Sequence, residues 1–342
     1  MRAIEFTGYG PAAQVLSLVL DAPPPIAGPT EVLIQVLAAS VNPVDCAIRS
    51  GYGKEVFRVK GQVGPNLFPQ RLGRDAAGIV RAVGAGVVEF QPGDRVYCAP
   101  ARATQADLIA VEASEVAHMP VALTFVEAAS LPFVALTAWS ALVGQAGLNA
   151  ASAGNKRVMI TRGAGGVGSF AIQLLKAWGA YVVTTCSSRN VDYVRQLEPD
   201  LIIDYTQESI SAAVDNIDVA LDSSFNTESA LLATLKTHAD ASYVSIVSPK
   251  MRLIDEFGLE EGVRRADEQL ADRVRSQAKL GRHYHWSFMR PDGAALRTVT
   301  ALVEADRIRP LVDKVFPPDQ IAVAHEYCES GRARGKIVID LS

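Results

Sequence analysis

One segment constrains the fold of this chain more than any other: residues 158–180, VMITRGAGGVGSFAIQLLKAWGA. An apolar strand leads into a glycine-rich loop with the spacing G-x-G-x-x-G, and an amphipathic helix follows and ends near Gly179. Glycines in such a loop let backbone N–H groups approach a pyrophosphate, and the helix N-terminus adds favourable dipole charge. The segment therefore predicts dinucleotide binding, with a tight turn that binds no ligand as the alternative.

After this loop the chain alternates between short apolar runs and helical stretches. The apolar runs are typical of buried parallel strands and lie at 180–186, 201–204, 216–224, 241–249 and 283–288. Such alternation is the mark of a doubly wound parallel sheet. The predicted fold class is therefore α/β, and the charged stretch at 259–281 is interpreted as the solvated face of a helix.

The first part of the chain differs in composition and in the pattern of its apolar runs. Up to about residue 125 it is rich in Val, Pro and Gly, with short apolar runs broken by turn residues, which is typical of a β-rich domain. The tail after residue 290 resembles it and is expected to fold back onto it. We therefore predict a β-rich domain from 1–124 and 290–342, and an inserted nucleotide-binding domain at 125–289.

The end of the strand after the glycine loop indicates which nucleotide binds. An NAD site has an Asp or Glu there that accepts a hydrogen bond from the ribose 2′-OH. This chain instead has Ser187, Ser188 and Arg189, with no acid before Asp192. Hydroxyl and guanidinium groups suit a 2′-phosphate, which they bind through charge-assisted hydrogen bonds. We therefore predict NADPH rather than NADH, with a loop in contact with water alone as the alternative.

Composition excludes several other classes of protein. A net charge of −4 argues against a nucleic-acid partner. The most apolar region, 128–144, is too short for a membrane span and is interpreted as a buried helix. The N-terminus predicts a strand rather than a signal peptide. The cysteines are widely separated, which predicts free thiols in a reducing cytoplasm: Cys46, Cys98, Cys186 and Cys328.

Metal ligands are scarce in the β-rich part. Cys46, Cys98 and His118 lack a recognisable metal-binding spacing, and the other histidines are scattered: His238, His283, His285 and His325. Without a metal, nothing obvious would stabilise the alkoxide of a saturated alcohol. A quinone or an activated C=C bond accepts hydride directly, because its own conjugation disperses the charge.

The chain as a whole resembles a zinc-free medium-chain dehydrogenase/reductase of the quinone-oxidoreductase branch, close to its reticulon-4-interacting protein 1 group. The matching segments are AASVNPVDCAIRSGYG (38–53), LGRDAAGIV (72–80), AASLPFVALTAWSAL (128–142), GGVGSFAIQLLKAWGA (165–180), IIDY (202–205), HYHWSF (283–288) and GRARGKIVIDL (331–341). The resemblance implies a GroES-like β-rich catalytic domain and an inserted Rossmann domain. In zinc-dependent relatives Cys, His and Glu stand where this chain has Asn42, Arg74 and Asp75.

The resemblance also implies the residues of the site. Cofactor contacts are expected from Ala164, Gly165, Gly166, Val167, Gly168, Ser187, Ser188, Arg189, Tyr205, Ser223, Val247, Ser287, Phe288, Arg332, Ala333 and Arg334. The catalytic candidates are Asn42, Asp45, Tyr52 and Thr137. Tyr52 or solvent supplies the proton. The Tyr of related enoyl reductases falls one residue later, at Gly53.

These observations predict an NADPH-dependent reductase of quinones or α,β-unsaturated carbonyls that works without zinc. Two alternatives stay open: an enoyl-thioester reductase, and a non-catalytic NADPH-binding interaction or sensor protein. The partners expected are a small-molecule substrate and, through the edge of the Rossmann sheet, a second copy of the chain.

Overall fold

A computed structural model describes residues 1–59, 68–237 and 240–342. The chain forms two compact units, which are described separately. The first consists of Met1–Leu136 with Arg290–Ser342, and the second of Thr137–Met289. The division into functional domains at 1–124 with 290–342 and at 125–289 stays a prediction.

The strands are numbered in chain order. They are β1 (Ala3–Phe6), β2 (Leu16–Val19), β3 (Glu31–Val41), β4 (Gln70–Arg71), β5 (Ala76–Val83), β6 (Arg95–Cys98), β7 (Leu108–Glu112), β8 (Val116–His118), β9 (Arg157–Ile160), β10 (Tyr181–Cys186), β11 (Leu201–Asp204), β12 (Val219–Asp222), β13 (Ala241–Ser245), β14 (Arg282–Trp286), β15 (Val312–Phe316) and β16 (Lys336–Asp340).

The α-helices are numbered in the same way. They are α1 (Ala12–Val15), α2 (Pro43–Arg49), α3 (Lys54–Val59), α4 (Phe125–Ala128), α5 (Pro132–Trp139), α6 (Gly166–Ala177), α7 (Val191–Arg195), α8 (Ile210–Ala213), α9 (Glu228–Thr234), α10 (Lys250–Phe257), α11 (Leu259–Ala278), α12 (Gly293–Glu304) and α13 (Ile321–Glu329). A π-helical turn, Ser140–Gln145, continues α5.

The second unit is built on a six-stranded sheet in the order β11-β10-β9-β12-β13-β14, with every pair parallel. Counted from β9, this is the order 3-2-1-4-5-6 of a doubly wound sheet, so that prediction is confirmed. Strands covered on both faces are typically rich in apolar residues, and all five residues of β13 are buried, including Ser242 and Ser245. The carboxyl ends of these strands share one edge, where the chain reverses its winding between β9 and β12.

The first unit contains a seven-stranded sheet in the order β15-β16-β3-β5-β6-β8, with β7 also paired to β3, and a small sheet in the order β2-β1-β4. The alternating residues Val32, Ile34 and Val36 of β3 are buried in its core. The tail of the chain joins this sheet, because β16 pairs antiparallel with β3 and Ile337 lies opposite Val41.

Two helical stretches bear on the sequence predictions. Within the described part of the chain, Phe125–Gln145 is long and apolar enough to cross a membrane, but 67% of its most apolar window is buried, as in a core helix. In α11, Arg264 forms ion pairs with Glu261 and Glu268 on an exposed face. The charged stretch is therefore the solvated helix face that its composition indicated.

Candidate active site

The glycine loop connects β9 to α6 at the point where the sheet reverses its winding. A Cβ atom on Gly168 would lie 2.3 Å from the carbonyl oxygen of Arg162, so no larger residue fits there. Gly163 is also tightly packed, since its Cβ would lie 2.4 Å from Thr184 Oγ1. A Cβ on Gly165 would lie 3.4 Å from the Arg162 oxygen and meet no severe clash. Steric demand is therefore greatest at Gly163 and Gly168.

The start of α6 is open to a ligand. Gly165 is the N-cap residue and makes no side-chain cap, so the first N–H groups of the helix, at Gly166, Val167 and Gly168, have no helical acceptor. Together with Ala164, these residues form the positive end of a helix dipole. This is the arrangement that binds a pyrophosphate in dinucleotide sites.

Arg162 is the irregular residue of this loop. Its φ is +58°, in the left-handed region that glycine adopts most easily. Its backbone N–H donates to Thr185 Oγ1 at 3.1 Å, and its carbonyl accepts from Gly165 N at 2.9 Å. The side chain is exposed. The backbone bonds therefore hold a conformation that the side chain does not favour.

The carboxyl end of β10 carries Ser187, Ser188 and Arg189, of which Ser188 and Arg189 are exposed. Tyr205 follows β11 and is also exposed. The structure also places Asp204 at this edge of the sheet, a residue that sequence reasoning missed. Asp204 ends β11 directly opposite Cys186 of β10, and its carboxylate accepts a hydrogen bond from Ser188 Oγ at 2.5 Å. The Asp of the IIDY segment was the available signal.

The carboxyl ends of the other strands carry hydroxyl groups. Ser223 donates through its backbone N–H to Thr161 Oγ1 at 2.8 Å, so it is anchored beside the glycine loop. Ser287, just past β14, is 4% exposed, and its hydroxyl has no hydrogen-bond partner among the described residues. The same is true of Ser248, which sequence reasoning missed, next to Val247. Phe288 is half-exposed.

These features fit a nicotinamide dinucleotide. The uncapped helix start suits the pyrophosphate. The buried hydroxyl of Ser287, which has no partner in the described part of the chain, is a polar group that a ligand would satisfy. Thr137, the first residue of the same unit, lies buried in α5. Arg332, Ala333 and Arg334 belong to the first unit, in the turn before β16, and their contact with the cofactor stays a prediction.

A buried polar cluster forms in the first unit around a lysine. We call Ser40, Asn42, Asp75 and Lys336 the Lys336 cluster; each of these residues is at most 5% exposed. Lys336 Nζ donates to Asp75 Oδ2 at 3.1 Å and to Ser40 Oγ at 2.9 Å, and it also contacts Asn42 Oδ1. Asn42 Nδ2 donates to Asp75 Oδ2 at 2.9 Å. Sequence reasoning missed Lys336.

Asp45 is fully buried beside this cluster. One carboxylate oxygen accepts from Asn42 N at 2.8 Å and the other from Gly73 N at 3.1 Å, which ties the start of α2 to the segment after β4. Burial raises the pKa of this carboxyl, although the Arg74 charge and the hydrogen bond from Asn42 oppose the shift. This geometry favours a positioning role for Asp45 and Asn42; their catalytic role stays a prediction.

Tyr52 follows α2 and is half-buried, with its backbone N–H donating to Ala47 O at 2.9 Å. The next residue, Gly53, is buried and has a φ of +79°, a conformation that a tyrosine would adopt only under strain. The proton donor of the related reductases would therefore be poorly accommodated at this position. The role of Tyr52 stays a prediction.

Within the described residues, no group of three His, Cys, Asp or Glu side chains could hold a metal ion. His238 lies outside those residues. The four cysteines are free, and burial raises the pKa of the Cys186 thiol to about 11. Arg74, at the position of the relatives' histidine, is half-buried.

Known proteins resemble this chain over nearly its whole length. The family described as alcohol dehydrogenase GroES-like domain matches residues 28–132, and the family described as zinc-binding dehydrogenase matches 197–339. The Danio rerio protein named NAD(P)H oxidoreductase RTN4IP1, mitochondrial, is 39% identical over 92% of this chain and 84% of its own length. The Homo sapiens protein of that name is 38% identical over 92% and 82%.

Among solved structures, the quinone oxidoreductase from Coxiella burnetii is similar, with a TM-score of 0.83, 28% identity, and coverage of 100% of this chain and 99% of its own. Together with the family matches, this confirms a GroES-like domain combined with a Rossmann-type parallel sheet.

The comparisons contradict one prediction. The relatives from Danio rerio and Homo sapiens are named mitochondrial, so the cytoplasmic location predicted from the cysteines is wrong. Reduced thiols indicate a reducing environment, and they do not identify which compartment provides it.

Proposed function

Because this chain belongs to the medium-chain dehydrogenase/reductase family and is quinone oxidoreductase-like, we propose that it is an NADPH-dependent reductase of quinones or α,β-unsaturated carbonyls. In its coarser form, the activity is that of an NAD(P)H oxidoreductase, the name carried by relatives that match 92% of this chain. One observation carries the proposal. The uncapped start of α6 lies at the reversal point of a parallel sheet, which is where dinucleotides bind in this architecture.

Different residues at the carboxyl edge of the sheet bind different parts of the cofactor. The N–H groups of Gly166 and Val167 receive the pyrophosphate, while Arg189 and Tyr205 face the adenosine 2′-phosphate. Ser287 offers its hydroxyl to the nicotinamide end, which would satisfy a buried group that has no partner among the described residues.

When bound, NADPH supplies a hydride from C4 of the nicotinamide ring. Thr137 and Phe288 orient the ring against the acceptor, since position and orientation make up most of the protein's contribution to a direct transfer. A proton then reaches the reduced product from the Tyr52 hydroxyl or from solvent.

The Lys336 cluster supports chemistry that proceeds without zinc. Asn42 and Asp75 stand where zinc-dependent relatives are expected to place metal-site residues, and here their polar atoms are already engaged. Asp75 Oδ1 accepts from Phe133 N at 2.5 Å, and Oδ2 accepts from Lys336 at 3.1 Å. A metal ion would have to displace an internal ammonium group. We therefore expect the acceptor to disperse negative charge through its own conjugation.

Purified protein mixed with NADPH, or with NADH, and a panel of acceptors tests the proposal. We expect oxidation of NADPH with quinones or enones, insensitivity to a zinc chelator, and little activity on simple alcohols. Tyr52→Phe separates the proton sources: unchanged kcat and pH profile assign the proton to solvent, and a large loss of kcat assigns it to Tyr52. Activity confined to alcohols with added zinc would overturn the proposal.

A homodimer is a further expectation from the family resemblance. Strand β14 ends the parallel sheet of the second unit and offers a sheet edge to a second copy. Light scattering of the purified chain measures the assembly directly, and a monomer at working concentration would contradict this expectation.

A further inference from the structure

We propose that Asp204 limits the preference of this site for NADPH over NADH. The inference rests on the proposed function, because it concerns the nucleotide pocket of that same site. It assigns a specificity role to a residue that lies one strand away from the position where such acids are usually sought.

Strand register places the Asp204 carboxylate beside the predicted 2′-phosphate site. Strands β10 and β11 run parallel, with Val183 opposite Leu201 and Cys186 opposite Asp204. The carboxylate therefore emerges at the same sheet edge as Ser187, Ser188 and Arg189. Its contact with Ser188 Oγ, at 2.5 Å, confirms that the two strand ends meet.

The Asp204 carboxylate also accepts the hydrogen bonds that the two nearest hydroxyl groups can donate. Ser188 Oγ donates to Asp204 Oδ2, and Thr206 Oγ1 donates to Asp204 Oδ1 at 2.7 Å. These hydrogen bonds, led by the one from Ser188, hold the pKa of Asp204 below its ordinary value, so the group is ionised at neutral pH. A hydroxyl has one proton to donate. Ser188 and Thr206 therefore present lone pairs, not donors, to an incoming phosphate.

The two cofactors meet this arrangement differently. A 2′-phosphate brings a charge of about −1.5 to −2, which an adjacent carboxylate repels, and it finds the nearby hydroxyls already engaged. A ribose 2′-OH has a proton of its own and can donate to a carboxylate or to a serine oxygen. Arg189 and Tyr205 favour the phosphate, and Asp204 opposes them. The selectivity of the site is the difference between these effects.

The test is a set of dissociation constants measured by calorimetry on the full chain. The ligands are NADPH, NADH and the fragment 2′,5′-ADP, and the variant is Asp204→Asn, which keeps an acceptor for Thr206 but removes the charge. We expect NADPH and 2′,5′-ADP to bind about fivefold tighter and NADH to change by less than about twofold. Asp204→Ala removes the same charge and is expected to act in the same direction.

Asp192→Asn is the matched control. Asp192 has the same charge and lies on α7, with its side chain 93% exposed and paired with Arg195. We expect its removal to leave the ratio of the two dissociation constants within about twofold, because exposed charges are strongly screened.

The outcomes separate this inference from the proposed function. If Asp204→Asn or Asp204→Ala weakens NADPH binding, or leaves the NADPH-to-NADH ratio unchanged, the role assigned to Asp204 is overturned while dinucleotide binding stands. If the unaltered chain binds neither dinucleotide, both proposals fail. A ratio that shifts equally with Asp192→Asn would also overturn the inference, since net charge alone would then explain it.

Discussion

Acidification should destabilise this protein through one buried histidine. His325 lies on α13 and is 0% exposed, and neither of its ring nitrogens has a hydrogen-bond partner among the described residues. Burial, together with the positive charge of Arg49, lowers the pKa of His325 from 6.5 to about 3. The neutral imidazole is therefore favoured in the folded protein over the charged form that water would stabilise.

The sign and the size follow from proton linkage. Between pH 6.5 and pH 3 the unfolded chain binds a proton at this histidine and the folded chain does not, so stability falls as the pH falls. The contribution of His325 to folding stability is complete above the pKa that this histidine has in the unfolded chain, and it is lost progressively below that pKa. At about pH 5 the solution is about 1.5 pH units below the unfolded pKa. Moving there from about pH 7.5 therefore lowers the unfolding free energy by about 2 kcal/mol.

Urea unfolding at both pH values, followed by circular dichroism, measures this loss. His325→Leu cannot titrate and leaves no polar atom unpaired, so its stability should fall by about 2 kcal/mol less than that of the unaltered chain over the same pH interval. Ile321→Val, a buried change on the same helix that removes no titratable group, should reproduce the unaltered pH dependence. Equal losses in His325→Leu and the unaltered chain would refute the reasoning, whatever their absolute stabilities.

Three further predictions concern the two candidate sites. Gly168→Ala should destabilise the second unit by about 3 kcal/mol in urea unfolding, because its Cβ would lie 2.3 Å from a backbone oxygen. The comparison variant Gly165→Ala should fold normally, and only its NADPH binding, measured by calorimetry, should weaken. Arg162→Gly should raise the unfolding free energy by about 0.5 to 1 kcal/mol, since a φ of +58° suits glycine; a lower value would contradict this. Lys336→Met should lower the unfolding free energy by about 3 to 5 kcal/mol, because Asp75 would be left buried without its counter-ion. Adding Asp75→Asn to this variant should restore part of the loss.

The parallel sheet could be predicted because its information is local. Each strand is a short apolar run, and the segment at 158–180 contains its own strand, loop and helix. The order of the strands follows from the rules of doubly wound sheets once the loop has identified the first strand. The end of α6 was equally local, since Gly179 adopts the positive φ, +79°, that such a helix end requires.

The Lys336 cluster could not be predicted, because its members are far apart in sequence. Lys336 and Asn42 are separated by 294 residues, and they meet only because β16 pairs with β3. A lone lysine after two arginines is typical of a solvated tail, and nothing near it in the sequence signals burial. Asp204 was missed for a related reason: its relation to Ser188 depends on the register of two strands, which periodicity does not define.

The buried cluster also bears on which substrates the proposed reductase can accept. Donors that stabilise a developing oxyanion must be free to point at it in the transition state. Lys336 is a buried ammonium donor of the first unit, and it already bonds to Ser40 and Asp75 at 2.9 and 3.1 Å. Redirecting it would leave the Asp75 carboxylate buried without its counter-ion, which costs several kcal/mol. Lys336 is therefore committed to its own cluster. We expect a quinone to be the better acceptor for a different reason, because the charge it gains on hydride transfer is dispersed over its own ring.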